Sequence, residues 1–147
     1  MWGGGRAFYD PRLFGTAAAR VYLVTGEQFG DVAEQEMYRN PGGTELDIAA
    51  IVAASRVELR PGRYETVFHI ADLDGHPVLT FTTPWSTGAV EYNPPSLPYL
   101  RMLAGGLCEA HGWDLYQAAA YQAERPGAAS TWTAEALAAA LHTLGPA

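Results

Sequence analysis

One carboxylate in the chain, that of Glu36, could support acid/base chemistry. The tripeptide Glu34-Gln35-Glu36 closes a segment whose apolar residues recur at helical spacing. The residues on the expected apolar face are Phe29, Val32, Ala33 and Glu36. A carboxyl group among apolar side chains has a raised pKa, because desolvation disfavours its charged form, and such a group suits general acid/base catalysis near neutral pH. From the pattern alone, an ordinary glutamate in the last turn of a helix is the simpler interpretation.

Other reactive side chains give weaker patterns. The four histidines are scattered, and none has a partner at metal-ligand spacing. A Cys108–His111 nucleophile pair would lie on a single helix at spacing three, which is poor geometry for attack in a cleft. As the only cysteine, Cys108 forms no internal disulfide and is expected to be a buried small side chain. We therefore predict neither a metal site nor a cofactor.

Capping and turn signals predict the elements that position these residues. Thr25 and Gln28 form a capping box, which starts a helix over about 26–39. The preceding Arg20–Thr25 is rich in β-branched and aromatic residues and predicts a strand. Arg63–Asp72 and Pro77–Thr83, joined at Asp74-Gly75, predict an antiparallel hairpin.

Helices dominate the rest of the prediction. Thr44 is expected to cap a short helix from Glu45 to about Ser55. Three later helices are expected over 97–111 after Ser96, over about 114–124, and from Thr133 to about 144. Residues 125–131 are expected to be a linker. Strands first and helices later indicate an α+β fold, with a barrel-like or strongly curved antiparallel sheet.

Composition restricts the class of protein. The length of 147 residues and 48% apolar content fit a single domain, 1–147, with residues 125–147 as a C-terminal helical extension. A net charge of −7 argues against a nucleic-acid or anionic-membrane surface. We expect no signal peptide, since none is visible, and no apolar run reaches about 18 residues, so the cytoplasm is the expected location. Every basic residue is arginine, which we interpret as the codon bias of a GC-rich, bacterial genome.

An ordered series of motifs resembles gamma-glutamylcyclotransferase-like proteins. Residues 2–8 (Trp-Gly-Gly-Gly-Arg-Ala-Phe), followed by 20–24 (Arg-Val-Tyr-Leu-Val), resemble the Trp-x-Gly-Gly segment and next strand of that family. In the family this strand leads to a helix ending in Glu-Gln-Glu, whose last glutamate is the acid/base. The resemblance therefore assigns that role to Glu36.

The resemblance continues along most of the chain, to about Gln122. Arg63-Tyr64 resembles the start of a family strand and implies that Tyr64 contacts substrate. The segment Pro94-Pro95-Ser96 resembles the start of a family helix. The glycine-rich opening implies that Trp2 and Gly4 line the site. The fold implied is the family's small curved barrel with flanking helices.

Two departures from the family pattern stand out. The family begins with a strand that ends in Tyr-Gly-Ser-Asn-Leu and holds the γ-glutamyl group, and this chain contains no such segment. We expect either a start codon placed too far downstream or a lost segment. In addition, relatives often carry a tyrosine four residues before Pro-Pro-Ser, where this chain has Val90. Tyr92 is close and could replace it as a substrate contact.

The resemblance implies a lyase that releases an amine from a γ-glutamyl small molecule and forms 5-oxoproline. Two alternatives stay open. One is a binding or structural protein on the same fold, including a possible homodimer through an open sheet edge, since exposed edges invite strand addition. The other is an amidohydrolase or acyltransferase that uses the same carboxyl with an external nucleophile.

Overall fold

A computed structural model describes residues 3–42 and 46–144. The described residues divide into two compact units. We call residues 8–17 and 21–90, apart from 43–45, the sheet unit, and residues 3–7, 18–20 and 91–144 the helical unit. The predicted α+β class is confirmed, because the chain combines an antiparallel sheet with six α-helices in its described part.

Helix α1, Gly26–Glu36, begins as the sequence predicts. The Thr25 hydroxyl accepts the Gln28 N–H at 3.2 Å, and the Gln28 side chain accepts the Thr25 N–H at 2.9 Å. This reciprocal capping satisfies two N–H groups that have no partner inside the helix. Phe29 then stacks on Phe81 of the sheet with ring centroids 4.4 Å apart, so α1 packs against the sheet through its first turns.

The described residues form three strands: β1, Arg56–Glu58; β2, Thr66–Leu73; and β3, His76–Thr82. They pair antiparallel in the order β1-β2-β3 and make an open sheet. The predicted hairpin at Asp74-Gly75 is confirmed. Both turn residues have positive φ, 51° and 78°, as a tight hairpin turn that follows the strand twist requires. Helix α2, Ile48–Ala54, packs on β1 and β2 and buries Ile51.

Two sequence predictions in this unit are wrong. Arg20–Thr25 forms no strand, and its apolar residues are exposed, because no neighbouring strand in the described chain pairs with it. The short helix predicted from Glu45 begins instead at Ile48, with the Asp47 carboxylate accepting the Ala50 N–H at 2.9 Å. The predicted cap Thr44 lies outside the described residues.

Asp10 anchors the turn that follows the sheet. Its carboxylate accepts hydrogen bonds from the Ser86 hydroxyl at 2.8 Å and from the Thr87 N–H at 2.7 Å, at the start of the 3-10 helix Thr87–Ala89. Arg12 adds its backbone N–H at 3.0 Å and its Nε at 3.2 Å. Burial alone would raise the pKa of Asp10. The donors from Arg12, Ser86 and Thr87 outweigh that effect and hold the pKa far below its ordinary value.

The helical unit contains four helices, and three of them match the prediction closely. They are α3, Leu97–His111; α4, Leu115–Ala123; α5, Pro126–Ala129; and α6, Ala134–Thr143. The segment predicted to be a linker therefore contains the short helix α5. The core of this unit lies between α3, α4 and α6 and consists of Leu100, Ala104, Ala118, Ala119, Leu137 and Leu141.

Capping residues fix the ends of these helices. Asp114 and Gln117 form a second capping box at α4, with distances of 2.7 and 2.9 Å. Gln122, which is 3% exposed, donates from its side chain to the Leu100 carbonyl at 3.0 Å and thereby joins α4 to α3. In the described part of the chain, no helix is both long enough and apolar enough to cross a membrane.

We expect Asp10→Asn to lower the free energy of unfolding by about 2 kcal/mol at neutral pH, because hydrogen bonds to a charged carboxylate are lost or weakened. The folded-state pKa of Asp10 lies below its ordinary value of 3.8. The carboxylate therefore contributes stability above that pH and loses it as the pH falls further. Urea unfolding of both proteins at neutral and acid pH should show the difference shrinking in acid.

Asp74→Asn is the matched control for this prediction. Asp74 is exposed in the hairpin turn, where asparagine also accepts a positive φ, so its unfolding free energy should stay within about 0.5 kcal/mol of wild type. A difference between wild type and Asp10→Asn that does not change between neutral and acid pH would contradict the role given to the Asp10 carboxylate.

Candidate active site at the end of helix α1

Glu36 is the last residue of α1, and its side chain is exposed to solvent. The predicted burial of Glu36 is therefore wrong. The buried carboxylate is that of Glu34, which is 3% exposed. Residues two apart on a helix do not face the same side, so burial of Glu34 turns Glu36 towards water. The buried residues of the helix are Gly30, Ala33 and Glu34, and the predicted face was offset from them by about one residue.

A Schellman motif, the common hydrogen-bonded end of an α-helix, fixes the backbone just after Glu36. The Arg39 N–H bonds to the Glu34 carbonyl at 2.8 Å, and the Tyr38 N–H bonds to the Gln35 carbonyl at 3.0 Å. Tyr38 takes the left-handed position of this motif with φ 58°. Glycine is usual there because a Cβ is disfavoured at positive φ. The position of Glu36 is thus set by backbone bonds on both of its sides.

Arg39 lies between two carboxylates at this helix end. Its Nε is 2.9 Å from a carboxylate oxygen of Glu34, and its Nη2 is 3.9 Å from Oε1 of Glu65. The Nε–H is not aligned with the Glu34 oxygen, so this contact is an ion pair rather than a hydrogen bond. The side chains of Glu34, Glu65 and Arg39 are 4%, 15% and 26% exposed. We call these three residues the Arg39 cluster.

Tyr64 lies directly beside this cluster in sequence and is half-buried. Its ring stacks on Phe8 with centroids 4.7 Å apart and planes inclined by 27°. The loop that carries Tyr64 is closed by the Leu59 N–H, which bonds to the Glu65 carbonyl at 2.7 Å. Because Arg39 contacts Glu65, the structure brings the Tyr64 segment to the helix end that carries Glu36.

Gly62 explains why the Glu65 side chain can lie where it does. A Cβ at Gly62 would come within 2.8 Å of Cδ and 2.9 Å of Cγ of Glu65. The missing side chain of Gly62 leaves room for the Glu65 carboxylate beside Arg39. Neither Arg39 nor Glu65 was identified from the sequence. The only signal was a positive charge just past a helix C-terminus, where it complements the helix dipole.

Gly4 and Tyr92 belong to the helical unit. Gly4 pairs with Pro95 in an isolated antiparallel bridge, and a Cβ on Gly4 would lie 2.3 Å from the Pro94 carbonyl oxygen. The Gly5 N–H donates to that same oxygen at 3.0 Å. Glycine is therefore required at positions 4 and 5 because the backbone there lies directly against the backbone of residues 93–95. Tyr92, which is 46% exposed, precedes the paired segment, and Trp2 lies outside the described residues.

The remaining candidate nucleophiles and ligands have local contacts. His69 pairs with Asp72 at 3.0 Å, His111 lies beside Trp113, and the half-buried Cys108 packs against the core of the helical unit. Over residues 3–42 and 46–144, no group of three or more His, Cys, Asp or Glu side chains is arranged to hold a metal ion.

Comparisons with protein families, with curated proteins and with solved structures gave no match to this chain.

We expect Tyr38→Gly to raise the free energy of unfolding by about 0.5–1 kcal/mol, because glycine adopts the left-handed conformation without a Cβ penalty. Equilibrium unfolding in urea measures this difference. The matched control is Tyr22→Gly, at another exposed tyrosine whose φ is not positive, where glycine should lower stability. A destabilised Tyr38→Gly protein would show that the tyrosine side chain contributes more than its backbone strain costs.

Proposed function

We propose that the protein is a gamma-glutamylcyclotransferase-like lyase, which releases an amine from a γ-glutamyl substrate with Glu36 as general acid/base. The observation that supports this proposal is the Arg39 cluster. It links the two segments to which the resemblance gives catalytic and substrate-contacting roles, Glu34-Gln35-Glu36 and Arg63-Tyr64, within one unit. These segments are separated by more than twenty residues in the sequence.

The exposure of Glu36 is compatible with this role. An acid/base must come within hydrogen-bond reach of the substrate nitrogen, and a side chain at an open helix end can be reached from solution. A bound γ-glutamyl group would then exclude water from the carboxylate. The buried Glu34 is already engaged with Arg39, which makes it the less suitable of the two glutamates for proton transfer.

The proposed reaction is intramolecular. The α-amine of the substrate attacks its own γ-carbonyl carbon, and a C–N bond forms that closes a five-membered lactam. Glu36 takes a proton from the α-ammonium, so that the neutral amine attacks, and delivers this proton to the departing nitrogen as the original amide C–N bond breaks. The attacking nitrogen loses its second proton to solvent, which leaves a neutral lactam N–H and a neutral amine. Since nucleophile and electrophile belong to one molecule, much of the entropic cost of bringing them together is absent. The tetrahedral oxyanion needs preorganised donors in addition to Glu36.

The other predicted site residues keep their proposed roles. Tyr64, the residue before Glu65, has a half-buried ring that stacks on Phe8, and it is proposed as a substrate contact. The substrate-contacting roles that the resemblance implies for Gly4, Tyr92 and Trp2 stay predictions. The small curved barrel of the family and a cytoplasmic location belong to the same proposal.

The test is to incubate the protein with glutathione and with γ-glutamyl-alanine and to measure 5-oxoproline by chromatography. Glu36→Gln should reduce kcat/KM at least about a hundredfold, because a positioned acid/base contributes that much or more. The matched control Glu27→Gln, on an exposed glutamate in the first turn of the same helix, should retain wild-type activity.

Three outcomes would count against the assignment. Full activity of Glu36→Gln would exclude Glu36 as the acid/base, and loss of activity in Glu34→Gln alone would move the role to the buried neighbour. Release of free glutamate, or of a transferred γ-glutamyl group, in place of 5-oxoproline would identify an amidohydrolase or an acyltransferase.

A second candidate function, binding through self-association, is favoured by one exposed segment. Val21, Tyr22, Leu23 and Val24 are 55%, 65%, 81% and 46% exposed. They follow one another in a stretch that has high β-propensity and no regular secondary structure. Such a stretch could add as a strand to a second copy of the chain and bury its apolar side chains.

Light scattering over a range of protein concentrations tests this candidate. We expect a dimer whose dissociation constant rises roughly tenfold or more in Leu23→Lys, because burial of one leucine is worth about 1.5–3 kcal/mol. Met102→Lys, at a 43% exposed residue of α3, is the control and should leave the association unchanged. A wild-type mass equal to one chain at every concentration would exclude the homodimer.

A further inference from the structure

We propose that Arg39 is a positioning residue, which holds the end of α1 and the Tyr64 loop in a fixed relation by bridging Glu34 and Glu65. This inference rests on the proposed function for its effect on catalysis. The bridge itself is a property of the fold and can be measured without turnover.

The first step of the argument is the double attachment of Arg39 to α1. Its backbone N–H closes the Schellman motif on the Glu34 carbonyl at 2.8 Å, and its Nε lies 2.9 Å from the carboxylate of the same residue. Backbone and side chain of Arg39 therefore contact one residue of the helix. This arrangement restrains the rotamer of Arg39, whose Nη2 also contacts the Sδ atom of Met37, the C-cap residue of α1.

The second step concerns charge. Glu34 and Glu36 both lie in the last turn of α1, where the helix dipole disfavours negative charge, and that turn contains no basic residue. A carboxylate as deeply buried as that of Glu34 is costly unless a cation accompanies it. Arg39 supplies that cation. If Arg39 were removed, the carboxylates of Glu34 and Glu65 would stay largely buried without a compensating positive charge. Each carboxylate would then be more stable if it moved towards water.

The third step is the attachment at the other end. Glu65 lies against Arg39 because Gly62 leaves space for its side chain, and its carbonyl accepts the Leu59 N–H that closes the loop. Tyr64 is the residue just before Glu65. A shift of Glu65 would therefore open the loop and move Tyr64 relative to α1. Through these contacts Arg39 acts on both proposed site residues while needing no contact with the substrate.

The experiment compares Arg39→Met with the matched control Arg56→Met. Arg56 lies in the same unit, and its ion pair with Glu58 is 3.4 Å long and about equally exposed on both sides, 40% and 41%. Exposed pairs of this kind contribute little to stability. Amide hydrogen exchange is followed at Leu59, at Tyr38 and, as an internal reference in the helical unit, at Ala118, whose N–H bonds to the Asp114 carbonyl.

In Arg39→Met we expect exchange at Leu59 and Tyr38 to become at least about tenfold faster, with Ala118 unchanged. Arg56→Met should leave all three amides as in wild type. If Leu59 keeps its wild-type protection in Arg39→Met, the bridge does not hold the loop and the inference is overturned, whether or not the protein turns over any substrate.

A second variant covers the case in which Arg39→Met does not fold. Gly62→Ala places a methyl group against Cγ and Cδ of Glu65 and so displaces its carboxylate while Arg39 stays intact. Faster exchange at Leu59, with Tyr38 less affected than in Arg39→Met, is the expected result. Wild-type exchange at Leu59 in this variant would contradict the role given to Glu65.

Kinetics separates this inference from the proposed function. If the wild type forms 5-oxoproline, Arg39→Met should lower kcat at least about tenfold and also raise KM, because Arg39 holds both Glu36, the proposed acid/base, and the loop of Tyr64, the proposed substrate contact. Unchanged kcat and KM in spite of faster Leu59 exchange would overturn the catalytic part. Absence of 5-oxoproline with the wild type would remove the proposed lyase, while the exchange data would still decide the bridge.

Discussion

The guanidinium of Arg39, set between the carboxylates of Glu34 and Glu65, is the contact on which the arrangement at the end of α1 depends. Each of these carboxylates is largely removed from water, and the free-energy cost of burying its charge must be offset by a positive charge nearby. The single delocalised guanidinium of Arg39 provides that charge for both. A buried ion pair of this kind adds little net stability compared with an apolar pair, but breaking it by removing one partner is costly. Its main effect is therefore to fix which segments lie together.

Because of helix geometry, the contact with Arg39 determines which of two glutamates is buried. Glu34 and Glu36 are two residues apart, so only one of them can face the interior of the sheet unit. The positive charge of Arg39 beside Glu34 favours burial of Glu34. Glu36 therefore faces solvent, at the point where the Schellman motif ends the helix. In the proposed function, accessibility rather than burial is the property that would let Glu36 reach a substrate, and a bound substrate would then supply low-dielectric surroundings for its carboxylate.

In the helical unit, the helices predicted from local signals in the sequence are also the helices that pack around its core. Helices α3, α4 and α6 follow the N-cap residues Ser96, Asp114 and Thr133, and small side chains such as Ala118 allow α4 to approach its neighbours closely. The glycines at positions 4 and 5 serve a comparable purpose at the backbone level. They permit the segment to lie against the Asn93-Pro94 carbonyls, where a Cβ would collide.

The amino-acid sequence by itself determined the features that arise from neighbouring residues. The capping box at Thr25, the Asp74-Gly75 turn and the bounds of α3 all follow from interactions within a few residues, and the structure confirms them. The α+β class followed from the order of these elements. Interactions between neighbouring residues stabilise these features, so they could be predicted from the sequence without knowledge of the tertiary contacts.

Tertiary structure decided what depends on residues far apart in the chain. The apolar stretch Arg20–Thr25 has the composition of a strand but forms no strand in the described part of the chain, and its apolar side chains are exposed. The predicted buried face of α1 was wrong by about one residue because the burial of Glu34 depends on Arg39, which lies beyond the helix. Arg39 in turn contacts Glu65, which lies in another loop. Periodicity cannot reveal a charge that arrives from elsewhere, and this is why Glu36, Arg39 and Tyr64 acquire their relation only in the folded chain.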